Sequence, residues 1–265
     1  MNKPVIRRGF ADTPEGQIHY ATAGSGRPVL LLHQTPRSWD EFREVLPILG
    51  QKYRAIAMDT IGFGDSYRFE GGASIERYAA GVIGFLDAMG IVGCVALVGH
   101  HTGGCIAAEV AASHPGRVDK LVLSCTPYVD AEDRERRKTQ PAIDELEARE
   151  DGSHLTALWQ KRMSFYPKNR PDLLTRFVRD ALTVWDHLEQ GHNCVNRYRM
   201  EEKTPLIQAP TLVLCGTEDP FSYPRMIPLA RSIKGSTVVE LKGGMVPMVD
   251  QMPQEFAAAV LDFLR

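Results

Sequence analysis

The chain has 265 residues, 43% of them hydrophobic and 24% charged, with a formal net charge of −2. A balance this even excludes the strongly basic face that nucleic acid or an anionic membrane recruits, and no apolar run approaches the ~20 residues needed to cross a bilayer. Met1–Arg8 carries charge with no apolar stretch behind it, which is not the pattern of a secretory signal.

In chain order, Gln17–Ala23 and Pro28–Leu32 read as strands around a Gly24-Ser25-Gly26 turn, and Trp39–Leu49 has helical spacing. Tyr53–Asp59 reads as a strand, and Ser74–Met89 as a helix with Ser74 as its N-cap. Val95–Val98 is an apolar strand, Thr102–Ser113 a helix and Lys120–Ser124 a further strand. Alternation at this spacing predicts an α/β fold, a mostly parallel sheet with helices on both faces.

The pattern changes from about residue 130 to 203. Asp130–Glu150, Leu155–Phe165 and Asp172–Leu188 read as consecutive helices with no strand between them. Alternation resumes with the strand Thr211–Cys215, the helix Pro224–Ile233, the strand Thr237–Leu241 and the helix Pro253–Arg265. We therefore expect a core domain of residues 1–129 and 204–265, with residues 130–203 inserted as a helical cap. Trp159, Phe165, Tyr166, Phe177 and Trp185 are expected to pack this cap onto the core. Of these, Trp159, Tyr166 and Trp185 are candidates to face a pocket at the carboxyl ends of the strands, where open α/β sheets bind ligands. His187, His192 and Tyr198 are weaker candidates. Arg162 and Arg199 could meet a substrate carboxylate, although a solvated helix face is the plainer reading.

The five cysteines, Cys94, Cys105, Cys125, Cys194 and Cys215, form neither a CxxC pair nor a zinc spacing. Free, mostly buried thiols imply a reducing, cytoplasmic setting. Cys125 and Cys215 lie at strand ends, where they could line a pocket.

Four segments carry a specific pattern. Leu31-Leu32-His33-Gln34-Thr35-Pro36 follows one strand, and Asp59-Thr60-Ile61-Gly62-Phe63-Gly64-Asp65-Ser66 follows the next. Gly99-His100-His101-Thr102-Gly103 joins an apolar strand to a helix, and Leu214-Cys215-Gly216-Thr217-Glu218-Asp219-Pro220 ends a later strand. In this order they resemble the α/β-hydrolase superfamily. The branch most resembled holds haloalkane and haloacetate dehalogenases, epoxide hydrolases and C–C bond hydrolases. The resemblance makes Gly99–Gly103 the nucleophile elbow, G-x-S-x-G, and Asp219 the catalytic acid. It implies that the backbone N–H groups of Thr35 and Thr102 form an oxyanion hole, with His33 and Gln34 beside it. His33 is read chiefly as a strand-end imidazole that holds loops, and Asp59 and Asp65 as structural.

Two positions depart from that family's pattern. His101 stands where the nucleophile is expected, and Met245, in Gly243-Gly244-Met245-Val246-Pro247, where the catalytic histidine is expected. A serine triad and a carboxylate nucleophile are both excluded at these positions. An imidazole extends about two to three Å beyond a serine hydroxyl. His101 could therefore fill the space of the missing histidine, flanked by Met245, and pair with Asp219 as a dyad. Such a dyad could activate water against an ester, lactone or ketone, abstract a proton next to a carbonyl as a lyase, decarboxylase or isomerase does, or form a covalent intermediate. No metal or organic cofactor is required, and no cofactor motif is present. The expected partner is a small-molecule substrate, with a homodimer open. Two other classes remain: a ligand-binding protein on a degenerate hydrolase scaffold, and an oligomeric scaffold protein.

Overall fold

The computed structural model describes residues 4–265. Its sheet has eight strands in the order β1-β2-β4-β3-β5-β6-β7-β8. They are β1 (Arg7–Thr13), β2 (Gly16–Ala23), β3 (Pro28–Leu32), β4 (Arg54–Met58), β5 (Val95–His100), β6 (Val118–Ser124), β7 (Thr211–Gly216) and β8 (Thr237–Leu241). β1, β2 and β4 pair antiparallel, and every pairing from β4 to β8 is parallel.

The burial follows from the pairing. Parallel strands covered on both faces need near-continuous apolar runs. β5 is buried at every residue, as is β7, while four of the five residues of the edge strand β8 are exposed. The helices of the first half are α1 (Leu46–Leu49), α2 (Ile75–Ala88) and α3 (Thr102–Ser113). In α2, Ile75, Tyr78, Ala79, Val82, Phe85 and Leu86 form the buried stripe, and the Ser74 hydroxyl caps the N-terminus by accepting from the N–H of Arg77. Each large side chain so buried contributes about 1.5–3 kcal/mol.

Between β6 and β7 lie α4 (Ala131–Arg137), α5 (Ser153–Arg162), α6 (Pro171–Leu182), α7 (Gln190–Arg197) and α8 (Met200–Lys203). After β7 come α9 (Met226–Ser232), α10 (Met248–Gln251) and α11 (Pro253–Leu264). Two sequence-based expectations are corrected here. The charged stretch 130–150 is helical only over Ala131–Arg137, with Pro141 soon after, and Trp39–Leu49 splits into a 3-10 turn (Trp39–Phe42) and α1, with Pro47 at its start. Strand β1 was not anticipated, because its sequence, RRGFADT, has little apolar alternation.

A buried ionic seam joins α6 to the core. Arg37, fully buried, donates to Asp180 of α6 at 2.8 Å and to Asp250 of α10 at 2.5 Å. Arg176 of α6 reaches Asp40 at 2.7 Å and Asp250 at 3.0 Å. Carboxylate neighbours overcome desolvation and hold Arg37 well above its ordinary range. No described helix is long and apolar enough to cross a membrane.

Candidate active site

The chain leaves β3 toward β4 on one side and later returns to lay β5 on the other. The carboxyl ends of β3 and β5 are therefore a topological switch point, where the connections diverge and leave a crevice. Residues 33–35 follow β3 there, and His101 follows β5.

His101 is the single residue between β5 and α3, with φ 46° and ψ −115°. This conformation costs about 1–3 kcal/mol for a residue with a side chain. The turn is held by the N–H of His101 donating to the Ser124 carbonyl at 2.9 Å and that of Gly104 donating to the His101 carbonyl at 2.8 Å. It also needs glycine on both sides. A Cβ on Gly99 would lie 2.2 Å from the Gly103 carbonyl oxygen, and one on Gly103 would lie 2.1 Å from that of Leu32.

The turn aims the imidazole at the loop after β7. Nε2 of His101 lies 2.7 Å from Oδ2 of Asp219, whose carboxylate is buried. The approach is not collinear with the ring N–H direction, so the two groups are in close contact without a straight hydrogen bond. Oδ1 of Asp219 accepts from the N–H groups of Phe221 (2.9 Å) and Ser222 (3.0 Å). Burial pulls the Asp219 carboxyl up, but His101 and these N–H groups outweigh it and set the net value below the usual carboxylate range.

His100 braces the turn from behind. Its ring bonds Ser124 Oγ at 2.9 Å and the Val246 carbonyl at 3.1 Å. Burial first, and the neighbouring His101 second, push it down to about 3, so it is a neutral strut that donates to Val246.

A cavity of about 50 Å³ opens beside His101. Gln34, Thr35, Thr102 and Val246 wall it from the core, and Arg137, Ile143, Arg162 and His192 from the segment between β6 and β7. The hydroxyls of Thr35 and Thr102 are 2.9 Å apart and tie the two loops together. Thr102 is the first residue of α3, so its N–H has no intrahelical acceptor, and no described backbone carbonyl takes the N–H of Thr35. Gln34 turns its amide toward the buried Glu41 at 2.6 Å.

Other sequence candidates stand elsewhere. His33 is fully buried; its Nδ1 bonds the Gln34 carbonyl at 2.7 Å and its Nε2 accepts from the N–H of Thr60 at 2.9 Å, which makes it a loop tie. Met245 is half-buried, and its N–H donates to Gln251 Oε1 at 2.8 Å; its neighbour Val246 borders the cavity and Met245 does not. Tyr166 packs on Phe177 (ring centroids 5.9 Å apart), Trp185 on His154 (4.9 Å), and Trp159 against the core; none borders the cavity. Trp159 and Tyr166 spend their apolar faces on packing, while Trp185 also borders a separate cleft with Glu189 and Arg197. Arg162 does border it, but Asp144 neutralises its charge at 2.6 Å. Arg137, Asn196 and Phe221 also line the cavity. Sequence reasoning missed them, and no spacing signal separates Arg137 from its charged neighbours.

His101, Cys125 and Asp219 each bring one ligand atom within 4.8 Å of the others. The 2.7 Å between the imidazole and the carboxylate is shorter than the ~3.3 Å that two ligands on one zinc require, so this set does not fit an ion as it stands. Burial holds the Cys125 thiol well above its ordinary value, which makes it unreactive.

The sequence profile of the alpha/beta hydrolase fold matches residues 27–246. The chain is 28% identical to the 2-hydroxy-6-oxo-6-(2'-aminophenyl)hexa-2,4-dienoic acid hydrolase of Metapseudomonas resinovorans, over 96% of this chain and 90% of that one. It is 26% identical to haloalkane dehalogenase 2 of Mycobacterium tuberculosis, over 98% and 95%. Among solved structures, a hydrolase from Pseudomonas aeruginosa superposes with a TM-score of 0.81 at 23% identity, over 97% of this chain and 98% of that one, and shows the shared fold.

Proposed function

The chain belongs to the α/β-hydrolase fold family, and from that premise we propose that it is a cofactor-free hydrolase of a small carbonyl compound: an ester, a lactone, or a ketone cleaved at a carbon–carbon bond. The single observation that carries this reading is the 2.7 Å contact of His101 with Asp219 at the wall of a cavity that Thr35 and Thr102 also line. His101 is the general base, Asp219 its orienting partner, and the N–H groups of Thr35 and Thr102 the oxyanion hole.

The chemistry follows from those positions. Asp219 favours the tautomer with the proton on Nε2, which leaves the Nδ1 lone pair for water. As the water oxygen bonds to the carbonyl carbon, its proton passes to Nδ1 and the carbonyl electrons move to oxygen, where the two N–H groups receive them. Collapse restores the carbonyl, breaks the bond to the leaving group and returns the proton from the imidazolium to that group. Catalytic hydrogen bonds are commonly poorly aligned before substrate arrives, so the off-axis approach of Asp219 is compatible with this role. Met245, where the resemblance places the catalytic histidine, has no proton to move.

Residues 130–203 act in this reading as a cap, since Arg137, Ile143, Arg162 and His192 wall the cavity from that side. The free cysteines, four of them buried, fit a reducing cytoplasm.

A second reading, a ligand-binding protein, draws on the same off-axis contact, which leaves the base loosely engaged. One experiment separates the two. Wild type and His101→Ala are assayed on a panel of esters, lactones and β-diketones, and wild type is treated with a serine-directed phosphonate. We expect turnover by wild type, a loss of at least about 100-fold in His101→Ala, and no phosphonate label. Full activity in His101→Ala overturns the dyad, and stabilisation by ligands without product favours binding.

A further inference from the structure

Two arginines line the cavity, Arg137 and Arg162, and the hydrolytic reading uses neither. Arg137, the last residue of α4, is half-buried on the wall shared with His101, Thr35 and Thr102. Its Nη1 donates to Asn196 Oδ1 of α7 at 2.9 Å. Its Nε is buried and has no partner. On that wall Arg162 is neutralised by Asp144, and the His192 ring lies 3.3 Å from Glu189. Carboxylates outweigh burial and hold Arg37, Arg162 and Arg176 above the ordinary arginine range, whereas burial sets Arg137 below it.

Asp133, one turn back on α4, attracts Arg137 from beyond ion-pair distance but does not offset its burial, and a half-buried guanidinium with no carboxylate in contact is costly. Its planar fork of donors matches a carboxylate better than any neutral group. Asn196 accepts from Arg137 through its oxygen, which leaves its amide nitrogen for the same ligand. Arg137, Asn196 and Ile143 also border a neighbouring cleft toward the exterior. There Arg134, Lys138 and Arg199 are each paired with a glutamate, and Arg197 donates to the Ala73 carbonyl.

We propose that Arg137 and Asn196 form a carboxylate subsite, so that the substrate is a carbonyl compound that also bears a carboxylate, seated toward the cavity mouth with the reacting carbonyl against Thr35 and Thr102. This rests on the reading of the cavity as the substrate site. It goes further in assigning the substrate a negative charge.

The test uses binding, not turnover, so that it stands apart from the dyad. Acetate, butanoate and benzoate, each against its primary amide, are titrated at pH 7 into wild type, Arg137→Gln, Arg137→Lys and His101→Ala, by calorimetry and thermal shift. In wild type we expect a carboxylate to bind at least about tenfold more tightly than its amide. Arg137→Gln should weaken the carboxylate by about tenfold to a hundredfold and leave the amide unchanged. His101→Ala should keep the carboxylate affinity, so inactivity of that variant speaks to the dyad alone. Should Arg137→Gln fail to fold, the carboxylate-to-amide ratio in Arg137→Lys, expected between the other two, carries the test. Equal affinity for carboxylate and amide in wild type, no binding of any carboxylate at millimolar concentration, or unchanged affinity in Arg137→Gln overturns the proposal.

Discussion

Oδ2 of Asp219 sits 2.7 Å from Nε2 of His101, although one residue closes a turn after β5 and the other lies in the loop after β7. Asp219→Asn keeps the size of the side chain and removes the charge that orients the ring. The backbone donors Phe221 and Ser222 still find the amide oxygen, so the loop keeps its course. We expect kcat to fall about 10²–10⁴-fold with little change in KM, and circular dichroism to be unaltered. An active Asp219→Asn variant would show that His101 needs no partner.

His100 makes stability depend on acidity. Folded, its value is about 3, against 6.5 for an ordinary histidine. Below 6.5 the unfolded chain takes up a proton that the folded chain refuses. The stability that the neutral ring supports is thus complete above 6.5 and is lost as pH falls from there toward 3, by about 1.4 kcal/mol per unit. Urea denaturation of wild type and His100→Asn between these limits should show the variant with a shallower slope, by about one proton. Identical slopes would place the titration elsewhere.

Gly191 of α7 packs directly on Thr35. A Cβ there would lie 2.0 Å from Thr35 Oγ1 and 2.5 Å from its Cβ. Gly191→Ala must push α7 away or shift the loop that carries the Thr35 N–H. Overpacking of this kind costs about 1–3 kcal/mol. We expect a lowered melting temperature together with a fall in kcat, and a variant with unchanged kcat would show that Thr35 is not in the oxyanion hole.

Asp180 is the α6 end of the buried ionic seam. Asp180→Ala leaves the fully buried Arg37 short of its 2.8 Å partner. Breaking one side of a buried pair costs about 3–5 kcal/mol, and denaturant titration should register a loss of that size. Faster proteolysis within residues 131–203 than in wild type would locate the damage, and equal rates would show that the seam does not hold this segment.

Much of the fold was legible because its motifs sit at strand ends, where glycine and an apolar run leave an unambiguous trace. The Val95–Gly104 turn, the α3 span and β8 were all readable in this way. Helical segments between β6 and β7 were less so. Their charged faces look alike whether they meet solvent or each other, so Arg162 of α5 and Asp144 before it gave no sign of being buried, and nor did Arg37 after β3. Asp219 could be placed beside His101 because both follow parallel strands. The aromatic candidates Trp159, Tyr166 and Trp185 could not be placed, since bulk alone does not tell packing from contact with a ligand. Arg137 was hidden for a related reason: being unpaired is a property of its surroundings, and residues on either side of it are paired.

The seam around Arg37 has a thermal consequence. Dry ions become less costly with heating, because the water they have given up would have been ordered around them, while the gain from burying hydrocarbon levels off. Warmed, the molecule should therefore come apart elsewhere first, at margins such as β8, with α6 still anchored to the core when the outer strand has frayed.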